Sequence, residues 1–208
     1  MNRSFKLLAV LMALACCSVL VMCGQNAEAD KASSDKPATM TKEQMTARGK
    51  YLTMIAGCND CHTPKKMGPK GPEFDMSREL SGHPGTDPIP EYPTACLSPT
   101  GWIGATNMHL SAWAGPWGIS FAANLTPDQT TGTGAWTEDS FIEAMRTGKH
   151  MGMGREILPP MPWQTIGTMT DEDLKSIFTY IQSIKPVMNQ VPEPIPPPGA
   201  PMGDASAH

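Results

Sequence analysis

Cys58-Asn59-Asp60-Cys61-His62 decides how the rest of this 208-residue chain is read. The pattern is C-x-x-C-H, the attachment signature for haem of the c type. The two cysteine sulfurs add across the two haem vinyl groups as thioethers. The same helical turn then points the imidazole of His62 at the iron. Imidazole is a good ligand for haem iron, and its other ring nitrogen usually donates to a carbonyl that fixes the ring. In the segment that follows, a proline carbonyl, foremost that of Pro72, is the expected acceptor for His62 Nδ1. A chain carrying this group must wrap a large, flat, mostly apolar disc.

The spacing also fits a redox dithiol or half of a zinc site. A thioredoxin-like dithiol needs a surrounding βαβ pattern, and none is visible. Zinc wants a second ligand pair at short spacing, and past the leader Cys96 stands alone. A buried small hydrophobe is the favoured reading of Cys96.

The N-terminus reads as a leader. Arg3 and Lys6 precede an apolar run from Leu7 to Met22, and Ala27-Glu28-Ala29 fits a small-x-small cleavage site. Residues 1–29 are therefore expected to be a signal peptide. The apolar run is short for a spanning helix, which needs about 20 residues. The alternative is lipoprotein processing at Cys23 or Cys16, which would tether the domain to a membrane surface. Haem c is attached after export, so leader and C-x-x-C-H reinforce each other and point to the periplasm. Cleavage leaves 14 basic and 19 acidic side chains, a net charge of −5. Nucleic-acid binding normally needs a basic face and is not expected. A redox partner with a basic docking patch fits better. Only 40% of residues are hydrophobic, and Gly and Pro total 19 and 21. A haem would supply much of the missing core.

Residues 30–40 are small and polar and read as a flexible lead-in. Thr41 and Gln44 form a capping-box pattern that opens a first helix running to about Ala56, with Met45, Leu52 and Ile55 on one face. Gly49 sits mid-helix, where glycine costs about 1 kcal/mol. Close approach of another helix is its expected use. Between Pro64 and Phe121 the chain is irregular and rich in Gly, Pro and Trp, without a long helical period. Trp102, Trp113 and Trp117 read equally well as core filler or as haem-edge residues. Thr137 caps a second helix carrying Phe141, Ile142 and Met145, closed by Gly148. Thr170 caps a third with Leu174, Ile177, Phe178, Ile181 and Ile184 on one face, ended at Pro186. Residues 187–208 repeat proline and are expected to be an extended tail outside the core.

A thioether is a recognised sixth ligand in electron-transfer cytochromes. Met161 lies between Pro160 and Pro162, which fix φ and exclude helix. It is expected on a stiff extended loop able to close over the haem face opposite His62. Met45 and Met145 have core spacing, Met151 and Met153 a glycine-rich setting, and Met108 and Met169 no frame. His150, ahead of His83 and His109, is the alternative for a bis-histidine site. Arg155 and Trp163 are candidates to bond the propionates.

The order of helix, C-x-x-C-H, Ala123-Asn124-Leu125-Thr126-Pro127-Asp128, Gly134-x-Trp136-Thr137, Arg146-Thr147-Gly148, Leu158-Pro159-Pro160-Met161-Pro162 and terminal helix resembles class I c-type cytochromes. It is most similar to the single-haem cytochrome domains associated with bacterial periplasmic dehydrogenases and respiratory chains. The resemblance covers residues 41–186 and implies an all-α fold wrapped round one covalent haem. It implies thioether bonds at Cys58 and Cys61, with His62 and Met161 as axial ligands. The first and last helices would cross near Gly49, Leu52, Ile177 and Ile181. The chain departs from the pattern in its long insertion, its proline tail and its single C-x-x-C-H, where dehydrogenase subunits often carry three haems. The implied function is one-electron transfer to or from a dehydrogenase, reductase or oxidase, without catalysis by the chain itself. The alternatives are a haem enzyme or gas- or peroxide-reactive protein with a labile sixth ligand, and a docking subunit of a larger complex.

Overall fold

The first and last helices cross so closely that one side chain would separate them. In the computed structural model, which describes residues 39–89, 91–94 and 103–199, helix α1 spans Lys42–Ile55 and α5 spans Asp171–Ile181. Residues 1–38, on which the expected signal peptide and most of the expected lead-in fall, lie outside the described residues, as do Cys96, Trp102 and residues 200–208. A Cβ at Gly49 would overlap the Ser176 carbonyl and the Tyr180 side chain. The glycine expected to admit a second helix therefore does so, at the expected crossing. Gly49, Leu52 and Thr53 form the buried stripe of α1. Ile55 is 58% exposed, contrary to the expected face, because the stripe centres on those three residues.

Helix termini follow the local code. Thr41 Oγ1 accepts the Gln44 N–H (3.3 Å), and Gln44 Oε1 accepts the Thr41 N–H (2.8 Å). Helix α3, Glu138–Thr147, starts from a similar box between Thr137 and Ser140 and stops at Gly148, whose φ of 69° is left-handed. Thr170 Oγ1 caps α5 through the Asp173 N–H at 3.2 Å. Two further α-helices among the described residues are short: α2, Cys58–His62, and α4, Trp163–Ile166. The core joins α1, α3 and α5 through Leu52, Phe141, Met145, Leu174, Ile177 and Phe178. The Phe141 and Phe178 rings stand 5.3 Å apart.

The chain is not purely helical, which corrects the all-α expectation. The segment after His62 forms a hairpin of β1, Lys65–Gly68, and β2, Gly71–Phe74. Further on, β3 (Ala105–Thr106), β4 (Ala112–Gly115) and β5 (Gly118–Phe121) make an antiparallel sheet in that order. Gly68-Pro69 and Gly71-Pro72 stand at the turn between β1 and β2, and Gly115-Pro116 at the turn between β4 and β5. At two to four residues, the strands are too short to show an alternating pattern. Trp117 sits in the Pro116-Trp117 loop between β4 and β5, and its indole folds back over Gly115. The described part of the tail, residues 187–199, does not stand outside the core as expected but is bound to the domain. Ile195 pairs with Ile119 of β5 through backbone hydrogen bonds of 2.7 and 2.9 Å. Among the described residues, no helix is long and apolar enough to cross a membrane.

Candidate haem-binding site

Gly57 takes φ 70°, which lets the chain leave α1 and start α2 at once. The resulting turn carries Cys58, Cys61 and His62. Both cysteines are free thiols and half-buried. Burial pushes the Cys58 thiol up to about 11 and raises Cys61 as well. A redox dithiol works through a lowered thiol pKa; these two thiols are held neutral.

His62 is 8% exposed. Burial lowers its pKa, and its hydrogen bond to Ala123 works in the opposite direction. Nδ1 lies 2.8 Å from the Ala123 carbonyl oxygen. A carbonyl can only accept, so Nδ1 carries the proton and Nε2 keeps the lone pair for a metal. The acceptor is thus Ala123, not the expected Pro72, which is paired opposite Met67 in the hairpin. Backbone geometry explains the choice. The Gly82 N–H donates to the His62 carbonyl (2.7 Å), laying residues 80–83 beside the end of α2. The His83 N–H in turn donates to the Ala122 carbonyl (2.9 Å), bringing Ala123 within reach.

Thr63 fastens the same segment. Its hydroxyl donates to Asn59 Oδ1 (2.5 Å) and accepts the Leu80 N–H (2.9 Å). Leu80 is fully buried at φ 56°, a costly conformation for a leucine, and its carbonyl accepts the Leu125 N–H at 2.9 Å. Asn124, 4% exposed, accepts from the Thr126 N–H and hydroxyl and donates to the Thr131 hydroxyl and the Val187 carbonyl. None of Ala123, Thr63, Leu80 or Asn124 has a sequence signal that ties it to His62. Only the Asn-Leu-Thr-Pro-Asp stretch marks the neighbourhood.

Met161 is half-buried and packs at the margin of the apolar core, as Cys58 does. It does not lie on an extended loop. Its N–H closes a turn onto the Leu158 carbonyl (3.3 Å) across the cis Pro159–Pro160 bond, and Pro162 then caps α4. Ser120 of β5 donates to the Pro159 carbonyl at 2.6 Å, so the insertion also braces this turn. Met145 is core, and Met108, Met151 and Met153 are exposed. His150 stands edge-on to Trp136, with ring centroids 4.9 Å apart. His109 Nδ1 accepts the Lys65 N–H (2.9 Å) while its Nε2 faces Asp87 at 3.4 Å. His83 is buried, with Nδ1 3.0 Å from the Ser111 hydroxyl. Arg155 reaches Glu193 of the tail at 3.7 Å, and the Trp163 indole covers Gly148. Two neutral thiols and a histidine with its Nε2 lone pair free, all on one turn, form a donor set that fits haem c.

No protein-family model matches the chain. It is 30% identical over 178 residues to the fructose dehydrogenase cytochrome subunit of Gluconobacter japonicus, covering 85% of this chain and 29% of that protein. The gluconate 2-dehydrogenase cytochrome c subunit of Pantoea cypripedii is 26% identical over 146 residues, 70% of this chain and 24% of the relative. The cytochrome c subunit of the quinone alcohol dehydrogenase of Gluconobacter oxydans is 29% identical over 154 residues, 73% and 24%. The chain spans less than a third of each of these relatives. It is, by sequence, a relative of the cytochrome c subunits of bacterial dehydrogenases.

Proposed function

We propose that this chain is an exported one-electron carrier holding a single haem c. Cys58 and Cys61 would form the thioether bonds, and His62 and Met161 would be the axial ligands. When bound, haem would supply a one-electron ferric–ferrous couple. Because Ala123 holds Nδ1, His62 would offer its Nε2 to the iron. The turn from Leu158 to Met161 and the brace from Ser120 restrain the thioether. Cys58 and Met161 both pack against the apolar core, which would help to keep water from the ring. Residues 41–186 would form the haem domain, residues 1–29 the leader, and 187–208 a tail.

The observation that carries this reading is the His62–Ala123 hydrogen bond on the turn that also bears two free thiols. It commits one ring nitrogen and frees the other, as an axial histidine requires. The partner would be a dehydrogenase, since the relatives are named as cytochrome subunits of such enzymes. Docking would be small and transient.

The test is an absorption spectrum of the secreted protein. The expected result is a haem c spectrum with the long-wavelength ferric thioether–iron band, which Met161→Leu abolishes while haem stays attached. A colourless protein with alkylatable Cys58 and Cys61 would overturn the reading. Fast carbon monoxide binding by the ferrous wild-type protein would move it to the gas-reactive class.

A further inference from the structure

One polar side chain in the proline tail is engaged far beyond what an idle linker needs. Asn189 Nδ2 donates to the carbonyls of Ser81 (2.6 Å) and His83 (2.8 Å), and its Oδ1 accepts the Gly85 N–H at 2.8 Å. Its own N–H donates to the Thr131 hydroxyl at 3.0 Å. A single asparagine thus brackets residues 81–85 against the loop that follows Asn124.

Those two segments meet at the acceptor of His62. Ala122, just before Ala123, is held by His83 at 2.9 Å. Asn124, just after it, donates to the Val187 carbonyl (2.8 Å), and the Val187 N–H donates to the Thr126 hydroxyl at 3.1 Å. The Ala123 carbonyl is therefore fixed from both sides, and the tail backs both fixings, holding Asn124 directly and His83 by its carbonyl. The seat for the tail is built to fit. A Cβ at Gly85 would overlap the Gln190 carbonyl oxygen, and one at Gly118 would overlap that of Ile195. Glycine alone lets the tail backbone lie this close.

We propose, on the footing that His62 is an axial haem ligand, that Asn189 is a positioning residue for it, acting through the Ala123 carbonyl. The tail from Val187 to Ile195 is then a strap that holds the carbonyl against Nδ1–H. That hydrogen bond shifts electron density onto the imidazole and makes it a stronger donor to iron. A stronger donor favours the ferric state and holds the reduction potential down.

The test compares full-length wild-type protein with Asn189→Ala and Gly85→Ala, each loaded with haem. Gly85→Ala lifts the strap by steric conflict and removes no polar side chain. The expected result is an upward shift in reduction potential in both variants. Faster solvent exchange of the His62 Nδ1 proton, read by NMR, should accompany it. A lowered melting temperature with unchanged potential and exchange would overturn the proposal and leave Asn189 a purely structural residue. Should Asn189→Ala fail to accumulate, Gly85→Ala decides alone. A wild-type protein without haem would sink the electron-carrier reading itself, whereas haem-loaded variants with an unmoved potential sink only the strap.

Discussion

The helical frame and the strand-and-tail insert hold together by different physics. The frame of α1, α3 and α5 closes on apolar side chains, with helices started by Thr41, Thr137 and Thr170. The insert from Lys65 to Phe121, with the tail laid on it, buries Leu80 and Ile119 but is tied in place largely by hydrogen bonds to Thr63, Asn124 and Asn189. Apolar packing tolerates small displacement, whereas a hydrogen bond specifies a distance and a direction. The frame therefore supplies stability, and the insert supplies the exact placement of the His62 acceptor.

The largest break in this contrast should come from the frame. Gly49→Ala places a methyl group against the Ser176 backbone, which cannot yield as a side chain would. A loss of about 3 kcal/mol is expected in denaturant unfolding. Asn124→Ala should cost less, about 2 kcal/mol, by stranding the buried Thr126 N–H, while the Val187 carbonyl keeps the Thr126 hydroxyl at 3.3 Å. Its distinguishing mark is that backbone exchange should quicken in residues 122–131 and 187–189 before it does in α5.

A smaller effect comes from pH. Burial lowers the His83 pKa, so the folded state prefers the neutral ring. Among the described residues its Nε2 has no hydrogen-bond partner. The unfolded chain binds the proton more readily, near pH 6.5. The stabilisation is complete above that value and is lost as pH falls through the lower folded pKa. Melting temperature should accordingly drop between pH 7.5 and pH 5, with a shallower slope in His83→Gln. The smallest effect is expected at Arg48, whose side chain is 46% exposed and 2.5 Å from Asp173. Arg48→Ala should cost about 0.5 kcal/mol, and less at high salt.

The same division governs what could be read from the chain. Capping threonines, the glycine crossing and the apolar spacing of α5 are local or periodic signals, and all three appear in the fold. The C-x-x-C-H spacing likewise announced a single turn bearing two thiols and an imidazole. The hairpins did not announce themselves, because four-residue strands have too few positions to alternate. Ala123 could not be chosen as the His62 acceptor, since a backbone carbonyl carries no residue signature. Pro72 was the nearer candidate in sequence, but the β1–β2 hairpin takes it away. Asn189 was hidden for another reason. Among prolines it reads as linker composition, and its role depends on partners about a hundred positions away.

The seating of the tail on Gly85 and Gly118 also bears on timing. A polypeptide is made from its N-terminus, so Cys58, Cys61 and His62 emerge well before Asn189 exists. During that interval the wall behind the imidazole lacks its last fastener and stays pliable. The clasp closes only after Asn189 has followed, which leaves the C-x-x-C-H turn accessible to whatever must reach it first.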